Sequence, residues 1–371
     1  MNKYCFIHLD SPNRMPYLQK YLCKADYPYD LILWDRTGTK DTYGAENCYY
    51  MTTIFDKYRK SKQEKRGIIN SIYKVFAYTN FFFYLNHHLK KNKYQGIFVL
   101  AQNTGILCIH TLIKYYRGRY ILDIRDYFRE KNKWIFYLDK KLMENSFANT
   151  ISSEAYKVFL PKGDFIITHN SQDFEEDLVQ RFRMRKKRKA RPIILGCIGG
   201  IKFEQYDKKI INFFANDNRF LLKFIGRGYD VLKYYCEERH IDNVYIEGEF
   251  PMNKTMDKYE SVDMILNMYG NKNPHLDYAL SNKLYFSAQL GIPIVVCPDT
   301  YMEEVSKKYQ LGISVDIEKP TSKDKLVDFY DNLDYKTMIS GADLFLENVK
   351  RDEKIFFETV TQFTNVEDNV S

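Results

Sequence analysis

Three cations in the second half of the chain stand at turns after short apolar runs or at a helix start. Lys202 follows Gly199-Gly200-Ile201, Arg227 sits between Gly226 and Gly228, and Lys283 follows Ser281-Asn282. Glycine directly after a strand lets backbone come close to a ligand. The stretch 263–298 is the most informative: a buried strand (264–268), a polar loop (270–280), an apolar-periodic run ending at Leu290, Gly291 as a stop, and a second short strand closed by Pro298. This is a βαβ pattern. Ser281 or Asn282 is placed to cap the helix, turning its free N–H groups and positive dipole end into the loop. Lys283 in the first turn opposes that dipole. An anion held at the helix start is one reason for a lysine there; a side chain that merely reaches solvent is the other. In the first half, Gln102-Asn103 and Arg125-Asp126 follow apolar runs in the same manner. Charged and amide groups at the carboxyl ends of parallel strands occupy the ligand-binding edge of α/β folds. Arg125 has a structural alternative, an ion pair with Asp123 or Asp126.

The elements that must position these residues repeat along the chain. Apolar strand-like runs at 4–9, 31–34, 96–101, 120–123 and 165–169 alternate with helical segments. The rhythm restarts at 193–198, 220–225, 244–247, 264–268, 292–296 and 312–315. This is a doubly wound α/β pattern twice over, and right-handed crossovers bring the turns named above to one edge of each sheet. A chain of 371 residues has room for two such domains.

Composition excludes several classes. At 45% hydrophobic and 28% charged the chain is not disordered. Its seven cysteines are scattered, with no CxxC pair, which argues for a reducing cytoplasm and against a zinc site. The start, MNKYCFIHLD, reads as a strand and not as a signal peptide. No apolar run approaches the ~20 residues of a spanning helix. The net charge of +8 suits an anionic partner: a nucleotide-sugar, an anionic lipid surface or nucleic acid. Two segments concentrate that charge. Lysines and arginines crowd 57–66 ahead of a long helix over 68–91 rich in aromatics, the composition of a membrane-surface helix or of a core helix behind a basic turn. The run 180–191, QRFRMRKKRKAR, reads as a solvated linker. No recognised nucleic-acid module accompanies either, so lipid ranks above nucleic acid.

Ser281-Asn282-Lys283-Leu284-Tyr285 with Gly291-Ile292-Pro293 resembles the donor-binding helix of bacterial GT-B glycosyltransferases of the family 4 type, from capsule and surface polysaccharide synthesis. Asp123-Ile124-Arg125-Asp126, His169-Asn170, Gly199-Gly200-Ile201-Lys202 and Glu247-Gly248-Glu249-Phe250 resemble further family segments. The resemblance implies a GT-B fold: two Rossmann-like doubly wound domains facing across a cleft, with a C-terminal helix crossing back to the first. It implies an acceptor domain at 1–180 joined by a helix at 344–371, a basic linker at 181–192, and a donor domain at 193–343. Phe286 stands where the family has a ribose-contacting glutamate. The family's upstream glutamate is also absent, the nearest residues being Asp277 and Tyr278.

The implied donor site comprises Gly200, Lys202, Arg227, Glu249, Tyr278, Asn282 and Lys283, a diphosphate cradle of cations and a helix terminus. Metal-dependent transferases hold a divalent ion with Asp-x-Asp; that motif is missing, and lysine, arginine and a helix dipole can stabilise the departing diphosphate instead. No cofactor or metal is expected beyond the donor itself, a UDP-sugar for preference. The acceptor, a saccharide or lipid-linked saccharide, is expected on the first domain near Asn13, Arg14, Gln102, Asn103 and Arg125, with Asp126 as base or acceptor contact. The expected protein is a hexosyltransferase peripheral to the inner face of the plasma membrane. Other readings are a catalytically silent GT-B subunit that binds another transferase, an epimerase-like GT-B protein, and a nucleic-acid binder.

Overall fold

The computed structural model describes residues 3–10, 17–23, 27–35, 42–52, 68–172, 174–184 and 190–365, and only the backbone of 68–71 and 252. The basic segment 57–66 lies outside the described residues. Two compact units are present. The first takes Met1–His169 together with Asp352–Ser371; the second takes Asn170–Arg351.

The first unit is built on a parallel sheet in the order β3-β2-β1-β4-β5-β6-β7. Its strands are β1 (Tyr4–His8), β2 (Tyr29–Trp34), β3 (Asn47–Met51), β4 (Gly96–Leu100), β5 (Tyr120–Ile124), β6 (Ala148–Ile151) and β7 (Ile166–Ile167). The central runs YCFIH, GIFVL and YILDI are buried almost throughout and mostly apolar because helices cover both faces of a parallel sheet, with Asp123 the buried exception. Phe6 on β1 lies opposite Phe98 on β4, and their rings stack at 4.3 Å. Tyr21 from the helix Leu18–Leu22 joins them, as do Phe356, Val360 and Phe363 from the end of the chain. Polar ties fix that last segment to the first unit. Tyr4 donates its hydroxyl proton to the Thr364 carbonyl at 2.9 Å, and Lys20 pairs with Glu353 at 2.6 Å. His169 is structural: its backbone N–H donates to Glu353, and its ring lies 3.1 Å from Asp352. On the other face the helices Ile68–Asn92, Gln102–Tyr115 and Lys133–Asn145 pack in series. Among the described residues no helix is long and apolar enough to cross a membrane.

The second unit repeats the design with six parallel strands, order β10-β9-β8-β11-β12-β13. These are β8 (Ile193–Ile198), β9 (Phe220–Ile225), β10 (Val244–Glu247), β11 (Met264–Asn267), β12 (Ile294–Val296) and β13 (Gly312–Ser314). The order of strand addition reverses between β8 and β11, as it does between β1 and β4. In open α/β sheets the carboxyl ends at such a reversal form the ligand crevice. The helix Asn282–Leu290 is buried on nearly every side, with Leu284, Tyr285 and Ala288 in the core. The long helix Tyr335–Thr364 contributes Phe345 to this unit, packed on Tyr285 and Tyr309.

The basic run differs from its sequence reading. Arg181 and Arg183 belong to the helix Glu176–Arg183, and residues 185–189 lie outside the described residues. Arg183 is not solvated: its guanidinium donates to the carbonyls of Ala288 and Gln289, both at 2.9 Å. It thereby satisfies carbonyls that the end of helix Asn282–Leu290 leaves free.

Candidate functional site

At the carboxyl edge of the second sheet, the turns after β8 and β9 are bonded to each other. Gly199 N–H donates to the Ile225 carbonyl at 2.9 Å, and Ile201 N–H to the Arg227 carbonyl at 3.0 Å. Gly226 makes this possible. Its φ is +138°, and a Cβ there would lie 1.9 Å from the Gly199 carbonyl oxygen. Gly200, Lys202 and Arg227 therefore stand on adjoining turns, with Lys202 and Arg227 exposed. Gly226 N–H also donates to the Glu247 carbonyl, which sets the exposed Glu249, just past β10, beside the Arg227 turn.

After β11 the chain forms Met268-Tyr269-Gly270, the short helix Pro274–Asp277 with Asn273 as its cap, the half-buried Tyr278, and then Ser281. Ser281 is the cap of the helix Asn282–Leu290: its hydroxyl accepts from Lys283 N–H at 3.3 Å. Gly291 ends that helix in the left-handed conformation at φ 65°. Lys283 does not reach solvent. It is 8% exposed, and its ammonium donates to the Tyr269 hydroxyl at 2.5 Å. The same ammonium lies 5.1 Å from the centre of the Tyr269 ring, and that of Lys202 lies 5.5 Å from it. Phe203 packs on this ring as well. Two like charges meet at one tyrosine, Lys283 at its hydroxyl and Lys202 near its ring, an arrangement that favours an anion between or beside them.

The electrostatics agree. Burial works against the Lys283 ammonium, but Tyr269, Cys197 and Tyr259 outweigh it and hold the group above the ordinary lysine value. Burial pushes the Tyr269 phenol up, with Lys283 pulling the other way. The pair is an ammonium donating to a neutral phenol. Asp207, in the first turns of the helix Glu204–Phe214, is buried with Oδ2 lacking a hydrogen bond. Burial pushes its carboxyl up to about 7, Lys283 pulls it back, and Glu204 adds to the rise. Phe286 packs against Phe174 at 5.1 Å and Tyr259 at 5.5 Å, so the position is given over to core packing.

In the first unit the candidates separate by role. Arg125 is engaged internally: its Nε donates to both carboxylate oxygens of Asp123 at 3.0 Å, and its guanidinium lies 4.4 Å over Tyr17. Burial opposes that charge and Asp123 outweighs it. The ion pair that the sequence left as the structural alternative is present. Gln102 is buried and donates to Glu130 at 2.7 Å. Asn103 is half-buried, with Oδ1 lacking a hydrogen bond. Ala101, at the strand-to-helix turn before these amides, has φ 99°, a conformation costly for a residue with a Cβ. Asp126 is exposed on the turn after β5. Asn13 and Arg14 lie outside the described residues.

Four residues escaped the sequence reading. Tyr269 and Asp207 border the cations of the second unit. In the first, Glu130 holds Gln102, and Asp139 is fully buried with both carboxylate oxygens lacking hydrogen bonds. Burial, with Glu130 adding, pushes Asp139 up to about 8. Only Tyr269 carried a signal, an aromatic beside a glycine just past a strand. Among the described residues no group of three or more His, Cys, Asp or Glu is placed to hold a metal ion.

No protein-family profile matches the chain, and no curated protein matches it in sequence. Solved structures do match in fold. HepE of Anabaena, solved in complex with UDP, superposes with a TM-score of 0.65 at 10% identity, over 98% of this chain and 100% of its own. Sucrose-phosphate synthase from Thermosynechococcus elongatus gives a TM-score of 0.63 at 9% identity, covering 98% and 97%. The lipopolysaccharide outer core galactosyltransferase WaaB gives 0.64 at 12% identity, covering 97% and 99%. The two parallel-sheet, Rossmann-like units are thus those of the GT-B glycosyltransferase fold.

Proposed function

We propose that the chain is a glycosyltransferase that moves a sugar from a nucleotide-diphosphate sugar to a saccharide acceptor. The observation that carries this reading is the meeting of Lys202 and Lys283 at the Tyr269 ring, on the strand edge where α/β sheets bind ligands. HepE, solved with UDP and with UDP and glucose, shares the fold and lends support to UDP as the nucleotide.

Bond cleavage at the anomeric carbon leaves negative charge on the departing diphosphate. Lys202, Arg227, Lys283 and the N–H groups at Asn282 would take up that charge without a metal ion or other cofactor. Gly200 would let backbone approach the phosphates. Glu249 and Tyr278 would contact the nucleoside side of the donor. The acceptor would bind at the carboxyl edge of the first sheet, with Asp126 accepting or orienting its hydroxyl and Asn13, Arg14 and Asn103 nearby. Gln102 and Arg125, engaged by Glu130 and Asp123, would shape that edge. The finer reading is a family 4-like hexosyltransferase of capsule or surface polysaccharide synthesis. It would act on a lipid-linked acceptor, cytoplasmic and peripheral at an anionic membrane surface.

Calorimetry with UDP tests the core of this. Lys283→Ala and Arg227→Ala should each weaken binding about tenfold or more, the scale of a charge-assisted phosphate contact. Wild-type affinity in both variants would sink the cradle. Binding of UDP-sugars with no turnover across acceptors would point instead to a non-catalytic subunit.

A further inference from the structure

We propose that the outer helix layer of the first unit is a docking face for an anionic lipid bilayer. The helix Ile68–Asn92 is apolar on two opposite sides. Ala77, Phe81, Leu85 and Leu89 recur one turn apart and are buried against the sheet. Ile72, Phe76 and Phe83 recur on the opposite side at 62%, 58% and 65% exposure, with Val75 at 68%. Single exposed apolar residues are ordinary, but a stripe of them marks an interaction surface. A helix apolar all round belongs in a core or at a membrane.

Charge selects the occupant. The 25 residues of this helix include no acidic side chain, and Lys74, Lys90 and Lys91 supply its cations. In the same layer the helix Lys133–Asn145 has Trp134 in its first turn, 77% exposed, directly after the exposed Lys131 and Lys133. Tryptophan beside lysine is the residue pairing of a membrane–water boundary. A second copy of the same face would set lysine against lysine, whereas anionic headgroups complement it.

Position supports the same occupant. A helix of 25 residues is about 37 Å long, and the five-residue strand it feeds, β4, is about 17 Å long. Its start therefore overshoots the carboxyl edge of the sheet, and the helix after β5 begins at that edge too. Ile72, Phe76 and Trp134 thus lie toward the end of the unit that holds Gln102, Asn103 and Asp126. A bilayer at this face would present a lipid-linked acceptor to those residues. That last step rests on the proposed transfer reaction; the docking itself does not.

The test uses the full chain with vesicles of phosphatidylcholine alone and of phosphatidylcholine with phosphatidylglycerol. Co-sedimentation is expected with the anionic vesicles, weakened by added salt. The double variant Phe76→Ser/Phe83→Ser should partition about tenfold less while binding UDP as the wild type does. Fluorescence gives a second readout, because Trp34 is buried and Trp134 is the other of two tryptophans. Anionic vesicles should shift the emission to the blue, and Trp134→Phe should lose that shift even if the double variant folds poorly. No sedimentation with either vesicle, or unchanged partition of a folded double variant, would overturn the assignment. So would self-association that the double variant abolishes in the absence of vesicle binding. Loss of UDP binding alone would strike the transfer reading and leave docking intact.

Discussion

A buried ammonium keeps its charge only where neighbouring groups replace the water it has lost. For Lys283 that neighbour is the Tyr269 phenol, which accepts its hydrogen bond. The arrangement aims the cation without neutralising it, as a carboxylate would. Tyr269→Phe should therefore weaken UDP binding about tenfold, the value of one hydrogen bond to a charged group. Tyr269→Leu should weaken it further, because Lys202 then loses the same ring. Equal affinity in calorimetry for wild type and both variants would remove Tyr269 from the site. The cations were legible in sequence because Lys202 and Arg227 follow strand ends and Lys283 opens a helix. Tyr269 and Asp207 were not, because their roles arise only once β8 and β11, some seventy residues apart in the chain, become neighbours. Arg125 has the position of a ligand contact, and Asp123 two residues earlier holds it, the ion pair that the sequence offered as its alternative.

Elements carry the next level of constraint. The glycine turns after β8 and β9 lie so close that the pair of strands is closed by backbone contact alone. A methyl group at Gly226 has no room and an unfavourable φ, so Gly226→Ala must part the two turns that carry Lys202 and Arg227. It should cost about 3 kcal/mol or more and reduce UDP affinity as well. Gly118→Ala is the control. Its φ is +67° with nothing within 4 Å, so only the left-handed backbone is penalised, at about 1 kcal/mol. Similar denaturant midpoints for the two variants would show that the turns are not in contact. Strands were read well where an apolar run marks them, and the edge strand β3 was missed. β3, sequence NCYYM, pairs among the described residues with β2 alone, is mostly half-exposed and lacks the apolar run that betrays a central strand. The start of the basic stretch was misread because charge density suggested solvent, whereas Arg183 spends its guanidinium on helix carbonyls.

At the scale of the whole molecule, alternation of strands and helices was enough to give two doubly wound sheets. Family resemblance, not periodicity, pointed to a first unit completed by the end of the chain. Packing explains why that completion matters. Phe363 is 4% exposed and lies 5.1 Å from Phe98 and 5.6 Å from Tyr4, both on the central strands β4 and β1. Its ring also lies over Gly96, where a Cβ would sit 2.5 Å from it; the glycine and the phenylalanine fit each other across most of the sequence. Phe363→Ala would open a cavity there with little chance to collapse against a stacked pair of rings, and should cost about 3–5 kcal/mol. Its ring neighbours Tyr4, Phe98, Phe147 and Gly96 belong to the first unit, so UDP affinity at the second unit should stay within about twofold at temperatures where the variant is folded. Thermal melts with and without UDP separate the two effects. The variant should lower the transition that UDP does not raise, while ligand still raises the other by mass action. A variant that melts like the wild type would show that the chain's last helix is an appendage and not part of the first unit's core.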